Sequence, residues 1–164
     1  MVRLIETIHS EKSYRVDTLF LAVNIADRYL ANLSARGKPS PGLVLLAVTS
    51  IMIAAKARQP LKPLYSLTVR VLPKILQQKV SKPAYIALER EILIQLQFDV
   101  DYTSPIFFLE RYQRLFGLDQ EQSDSTIGAI GAAARNLCQM TQREVAYLSL
   151  KPSQVAAASL LMAW

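Results

Sequence analysis

The sequence is poor in the residues that hold small proteins together through covalent or metal links. It has one cysteine, Cys138, and one histidine, His9. A single cysteine excludes an internal disulfide, and together these two residues are too few ligands for a structural zinc site. We therefore expect no metal and no cofactor. A free thiol fits a reducing compartment, the nucleus or the cytoplasm.

Glycine and long apolar runs are also scarce. The 164 residues include five glycines, which favours long helices over β-hairpins. The longest apolar run, Leu43 to Ala55, is shorter than the roughly 18 to 20 residues that span a bilayer. There is no glycine-rich phosphate loop and no facing pair of carboxylates. The sequence therefore predicts neither a membrane segment nor an enzyme.

Acidic residues are missing between Arg28 and Lys82, and the whole chain carries a net charge of +6. This imbalance predicts a basic patch that would attract a phosphate backbone or an acidic partner. The alternative is a solvated basic face without a specific partner. The candidate residues of the patch are Arg58, Lys62, Arg70 and Lys74.

Apolar residues recur at helical spacing along most of the chain, which predicts an all-α fold. The segment 41–56 is apolar on all sides, which is typical of a central helix. Asp17 is expected to be the N-cap of the helix that follows it, and serine–proline pairs are expected to open later helices. The predicted helices cover 2–9, 17–34, 41–56, 64–72, 81–98, 105–116, 124–139 and 143–148, and one begins at 152.

A polar segment from Gly117 to Ser123 is the predicted boundary between two units. Residues 1–117 form the first unit, with five helices around 41–56 and a sixth leading away. Residues 118–164 form the second unit, whose Ala-rich last helix repeats the character of 41–56. Two more helices would be needed to cover that last helix, so we expect the second unit to be incomplete.

Three blocks of the chain form a recognisable set: Thr18–Leu30, Leu45–Lys56, and Leu88–Asp99 followed by Pro105–Tyr112. Together they resemble the cyclin box, in the order of that family. The resemblance implies five helices around a central third helix, then a partial second box. It also implies binding to the regulatory C-helix of a cyclin-dependent kinase, as a heterodimer.

The resemblance assigns roles to individual residues. Lys56 matches the lysine that reaches the kinase backbone, and a lysine has three donors on a long stem for carbonyl groups. Glu89 matches a glutamate that can accept backbone N–H bonds where the kinase C-helix begins. Leu93 lies one turn later and is expected to add apolar contact. Glu91 points to another face and is predicted to be a bystander.

Other matched positions are structural. Asp27 matches an aspartate that pairs with an arginine of the first helix, and Arg3 is the candidate partner here. Leu45 and Phe98 are predicted to be core residues. The family usually places an aromatic residue and two acids after the central lysine. This chain has Ala57, Arg58 and Gln59 there, so those acidic contacts are missing.

The principal hypothesis is a subunit that binds and activates a cyclin-dependent kinase. One alternative is a module like transcription factor IIB, which uses the same fold to bind DNA and the transcription machinery; the acid-free span supports it. Another is a scaffold that holds a kinase without activating it, which the missing acids support. The first hypothesis predicts that the chain does not bind nucleic acid.

Overall fold

The structure is a computed structural model that describes residues 1–59, 81–118 and 125–164. These residues form seven α-helices and two 3-10 turns and contain no strand, which confirms the predicted all-α class. The predicted helix over 64–72 lies outside the described residues. The helices are α1 (Val2–Lys12), α2 (Val16–Ala35), α3 (Leu43–Arg58), α4 (Lys82–Gln95), α5 (Pro105–Leu115), α6 (Ser125–Met140) and α7 (Pro152–Ala163).

Helix α3 is the centre of the first compact unit, Met1–Tyr102. Every residue from Leu46 to Ala55 is buried, and α1, α2 and α4 all pack against this helix. The one threonine in this stretch, Thr49, donates its hydroxyl to the carbonyl of Leu45 at 2.7 Å. Because a buried hydroxyl needs a partner, this bond lets a polar side chain lie in an apolar helix.

Two predicted helix starts differ from the observed ones. Helix α3 begins at Leu43, after Gly42, and Ser40 bonds the carbonyl of Pro41 instead of capping the helix. Helix α2 begins at Val16, so Asp17 lies in its first turn and is not its cap. A carboxylate in the first turn still favours the helix, because it faces the positive end of the helix dipole.

Helix α4 follows the prediction at its start and departs from it at its end. Ser81 caps it by accepting the N–H of Ala84, and Pro83 lies in the first turn. Its buried residues are Tyr85, Leu88 and Ile92, which share one face.

Phe98, predicted to be a core residue, is 67% exposed. Gln97 and Phe98 adopt positive φ angles of 54° and 58°, and the N–H of Phe98 bonds the carbonyl of Leu93. This left-handed turn ends the helix before Phe98 can join its buried face. Leu45, the other predicted core residue, is partly buried and packs against the core.

The second compact unit, Thr103–Trp164, contains α5, α6 and α7. Helix α7 packs against both of the others and buries Val155, Ala156 and Leu160. Gln113 is buried and donates to the carbonyl of Gly131 at 3.2 Å. A Cβ at position 131 would lie 3.2 Å from the amide nitrogen of that side chain, so glycine permits the close approach.

Helix α5 packs against both α6 and α7, and its buried residues include Ile106 and Leu109. The assignment of residues 1–117 and 118–164 to two cyclin boxes stays a prediction. The far side of α7 is uncovered in the part of the chain described here: Leu161, Met162 and Trp164 are each more than three-quarters exposed.

Opposite faces of α4 should respond very differently to truncation of a side chain. Ile92 is fully buried and Ile94 is 54% exposed. We expect Ile92→Ala to lower the free energy of unfolding by about 3 kcal/mol, because it leaves a cavity. Ile94→Ala, the matched control, should change it by less than about 0.5 kcal/mol. Urea denaturation followed by circular dichroism measures both, and similar losses would contradict the packing described for α4.

Candidate functional site

The two residues that the sequence singled out most strongly, Lys56 and Glu89, lie together. Lys56 is in the last turn of α3, and Glu89 is in the middle of α4, which packs against α3. The Lys56 Nζ atom is 2.5 Å from Oε1 of Glu89. The lysine side chain is 45% exposed and the glutamate side chain 16% exposed. The pair therefore lies at the surface, with the carboxylate as its deeper member.

Tyr85 completes this site, and sequence reasoning missed it. Its hydroxyl accepts a hydrogen bond from Nζ of Lys56 at 2.9 Å and donates one to Oε2 of Glu89 at 3.0 Å. The lysine nitrogen is also 5.5 Å from the centre of the tyrosine ring, within the range of a cation–π contact. Tyr85 lies four residues before Glu89, so helical spacing alone could have placed them on one face. We call these three residues the Lys–Tyr–Glu cluster.

The surroundings fix the protonation states of the cluster. Burial acts to lower the pKa of Lys56, but its hydrogen bonds with Glu89 and Tyr85 prevail, and the pKa lies above the ordinary value. Burial raises the pKa of the Tyr85 hydroxyl. At neutral pH the lysine is therefore a cation and the tyrosine a neutral phenol that can donate its proton to Glu89.

Apolar side chains border the cluster on α4. Leu93, the predicted contact residue, lies one turn after Glu89 and is partly buried against the core. Ile86, three residues before Glu89, is about half exposed. A charged cluster beside exposed aliphatic carbon can serve as a protein-binding surface, with polar groups for orientation and apolar groups for burial.

The side chains of Arg58 and Gln59, which follow Lys56, bond other parts of the first unit. The Nε atom of Arg58 is 3.2 Å from Oδ2 of Asp17, and Nη2 is 3.4 Å from Oδ1 of Asp101. The same guanidinium donates to the carbonyl of Tyr102 at 2.9 Å. Gln59 donates to the hydroxyl of Thr18 at 2.7 Å. Arg58 and Gln59 thus tie the end of α3 to the start of α2 and to the end of the unit.

These contacts bear on the predicted basic patch. Arg58 is neutralised by two carboxylates and is not an unpaired surface cation. Arg28, also from the acid-free span, pairs with Asp99 at 3.2 Å. Folding brings acids from outside the span onto these arginines, which no count along the sequence could reveal. The other candidates for the patch, Lys62, Arg70 and Lys74, lie outside the described residues.

The predicted pairing of Asp27 with Arg3 is absent from the ion pairs of the described residues. Arg3 is exposed, on the side of α1 away from the buried Ile5 and Ile8. Asp27 is partly buried, and this burial raises the pKa of its carboxyl to about 6. A carboxyl in such a setting favours its neutral form.

Glu91, predicted to be a bystander, has a structural role. The buried Tyr29 of α2 donates its hydroxyl to Oε1 of Glu91 at 3.0 Å. Burial, together with this carboxylate, raises the pKa of Tyr29 to about 12. Glu91 thus contacts α2, whereas Glu89, two residues earlier on α4, contacts the end of α3. Helical periodicity could not reveal this contact, because Tyr29 and Glu91 belong to separate helices.

No group of histidine, cysteine and acidic side chains in the described ranges could hold a metal ion. No helix within those ranges has the length and apolar character to cross a membrane.

Removal of the Arg58 guanidinium should destabilise the first unit. We expect Arg58→Met to lower the free energy of unfolding by about 2 kcal/mol, because Asp17 and Asp101 then lose their cation. Arg90→Met, at an exposed position of α4, is the matched control and should cost less than about 0.5 kcal/mol. Urea denaturation compares the two. Equal losses would mean that solvent already compensates both carboxylates.

Asp27 should make the stability depend on pH. Its pKa is raised from 3.8 to about 6, so between these values the folded state binds the proton more tightly. The free energy of unfolding therefore falls as pH rises through this range. Asp27→Asn should remove that fall and stabilise the protein by about 1 kcal/mol near pH 8, after allowance for partial exposure. Near pH 4 it should have little effect.

Thermal or urea denaturation of both proteins across this range tests the expectation. Burial lowers the pKa of His9, which titrates with the opposite sign, and the difference between the two proteins cancels that contribution. A gain in stability that is the same at both ends of the range would contradict the role given to Asp27.

Comparison with known proteins places these observations in a family. One relative is the G2/mitotic-specific cyclin-B of Dictyostelium discoideum, which is 30% identical over 95% of this chain and 32% of the relative. The G2/mitotic-specific cyclin-B3 of Gallus gallus is 32% identical over 90% of this chain and 33% of the relative. That of Mus musculus is 35% identical over 90% of this chain and 10% of the relative.

The chain thus spans about a third or less of the length of these relatives. The family model "Cyclin, N-terminal domain" matches residues 1–101, which include α1 to α4 and the whole Lys–Tyr–Glu cluster. Since this match covers more than half of the 164 residues, the chain belongs to the cyclin family.

Proposed function

We propose that this chain binds a cyclin-dependent protein kinase as a regulatory subunit and activates it. The observation that carries the proposal is the Lys–Tyr–Glu cluster, in which residues of α3 and α4 meet at an accessible surface. The positions of Lys56 and Glu89 match the cyclin residues that contact the kinase. The relatives named above are mitotic cyclins, which makes a cell-cycle kinase the natural partner.

The proposed mechanism is the positioning of the kinase C-helix. A protein kinase is active only when a glutamate of this helix reaches the lysine of a neighbouring strand, and a bound subunit can hold the helix in that position. The ammonium group of Lys56 would bond carbonyl groups of the kinase, and Leu93 with its apolar neighbours would bury part of the helix surface. The chain itself performs no chemical step, so the function is regulatory.

The inward contacts of Arg58 and Gln59 add to this proposal. Both side chains already bond α2 or the end of the first unit, so neither replaces the acids that cyclins usually place there. Recognition of the kinase would therefore depend more heavily on the Lys–Tyr–Glu cluster and on the apolar face of α4. The DNA-binding alternative loses support, because Arg28 and Arg58 of the acid-free span are paired with carboxylates.

Direct binding to a purified mitotic cyclin-dependent kinase tests the proposal. We expect the double substitution Lys56→Ala with Glu89→Ala to weaken binding by about tenfold or more and to abolish the gain in histone phosphorylation. The control is Lys38→Ala with Glu11→Ala, which removes two charges from exposed positions of the same unit. It should leave affinity within about twofold.

A charge exchange separates binding from folding. The double variant Lys56→Glu with Glu89→Lys can retain the internal ion pair, but it exchanges the positions of the positive and negative charges that face the partner. We expect it to keep most of the thermal stability and to lose kinase binding. Unchanged binding in both double variants would place the kinase on another face. Binding without a gain in phosphorylation would favour the scaffold hypothesis over activation.

A further inference from the structure

Tyr85 differs from the other two members of the cluster because a partner can hardly touch it. Its side chain belongs to the core, and the whole residue is 6% exposed. Its hydroxyl nevertheless bonds both Lys56 and Glu89. Any effect of this residue on a bound partner must therefore pass through the lysine and the glutamate.

The three hydrogen bonds close a ring. Lys56 donates to Oε1 of Glu89 and to the hydroxyl of Tyr85, and that hydroxyl donates to Oε2 of Glu89. A lysine stem has four rotatable carbons and loses much conformational freedom when a partner fixes its ammonium group. A tyrosine held in the core has little freedom left to lose. Tyr85 can therefore orient the ammonium group before any partner arrives.

The ring also determines which hydrogen bonds are left for a partner. An ammonium group has three N–H donors, and two of those of Lys56 are used inside the cluster. Each oxygen of Glu89 already accepts one bond, and its side chain is only 16% exposed. The lysine side chain is 45% exposed. The group that the cluster presents outward is thus mainly the third N–H of Lys56.

We propose that Tyr85 is a positioning residue of the kinase-binding site, and that by closing the ring it makes the site a hydrogen-bond donor. This inference rests on the proposed function. The matching group on the kinase is an oxygen acceptor, a backbone carbonyl or a carboxylate, and not a row of backbone N–H groups. Within the cluster, Lys56 then contributes more to recognition than Glu89 does.

The chain offers a matched control for the loss of one hydroxyl. Tyr29, on α2, also donates to a glutamate of α4 at the same distance of 3.0 Å, but that glutamate is Glu91, which lies outside the cluster. Tyr85→Phe and Tyr29→Phe each remove one tyrosine hydroxyl and its bond to a glutamate of α4, and only Tyr85→Phe also removes a bond from Lys56. We expect Tyr85→Phe to weaken binding to the mitotic kinase by about fivefold, and Tyr29→Phe to leave it within about twofold.

A second measurement reports on the lysine itself. In the free protein, nitrogen NMR of the lysine ammonium groups follows the mobility and titration of Lys56. We expect Tyr85→Phe to make this group more mobile and to lower its pKa, whereas Tyr29→Phe should alter neither. A purely structural role of Tyr85 would change stability in both variants and leave the Lys56 signal as in the wild type.

A third comparison tests the donor character of the site. Lys56→Met removes the donor, and Glu89→Gln keeps the shape of the acceptor while removing its charge. The proposal expects the lysine variant to lose more kinase affinity than the glutamate variant. The reverse order would overturn it, as would equal affinities of the two tyrosine variants. If Lys56→Met has no effect at all, the proposed function fails, independently of Tyr85.

Discussion

The absence of a polar face on α3 is the constraint on which the first unit depends. Ten successive residues of this helix, Leu46 to Ala55, are buried, so other helices must surround it. Burial of this much apolar surface is the main favourable contribution to folding. The charged residues of α3 are confined to its last turn. There the positive charges of Lys56 and Arg58 interact favourably with the negative end of the helix dipole.

The last turn of α3 therefore carries two cations, two residues apart, with different contacts. Lys56 and Arg58 are about 200° apart around the helix, so they face nearly opposite directions. Lys56 meets the glutamate of α4 and remains nearly half exposed. Arg58 meets Asp17 and Asp101 and joins three parts of the unit. In the proposed function Lys56 is the cation that meets the kinase, whereas Arg58 stabilises the unit that presents it.

Much of this architecture could be predicted from the sequence, because helical periodicity and the apolar character of 41–56 are local properties. The choice of Lys56 and Glu89 follows from a resemblance and not from periodicity, and the ion pair between them is not part of that prediction. Phe98 was misplaced because periodicity describes a helix and not the left-handed turn at Gln97 that ends it. Tyr85 could have been found from its spacing to Glu89, whereas the contact between Tyr29 and Glu91 required the packing of α2 on α4.

The charges illustrate the same limit in another form. The stretch from Arg28 to Lys82 contains no acid, yet Arg28, Lys56 and Arg58 all meet carboxylates in the folded chain. Those carboxylates come from positions 17, 89, 99 and 101, on both sides of the stretch. A one-signed segment can thus indicate long-range ion pairs as well as a binding surface for an acidic partner. Here the separation of opposite charges along the sequence helps to hold α2, α3 and α4 together, and it leaves the exposed N–H of Lys56 as the polar group that faces outward from the cluster.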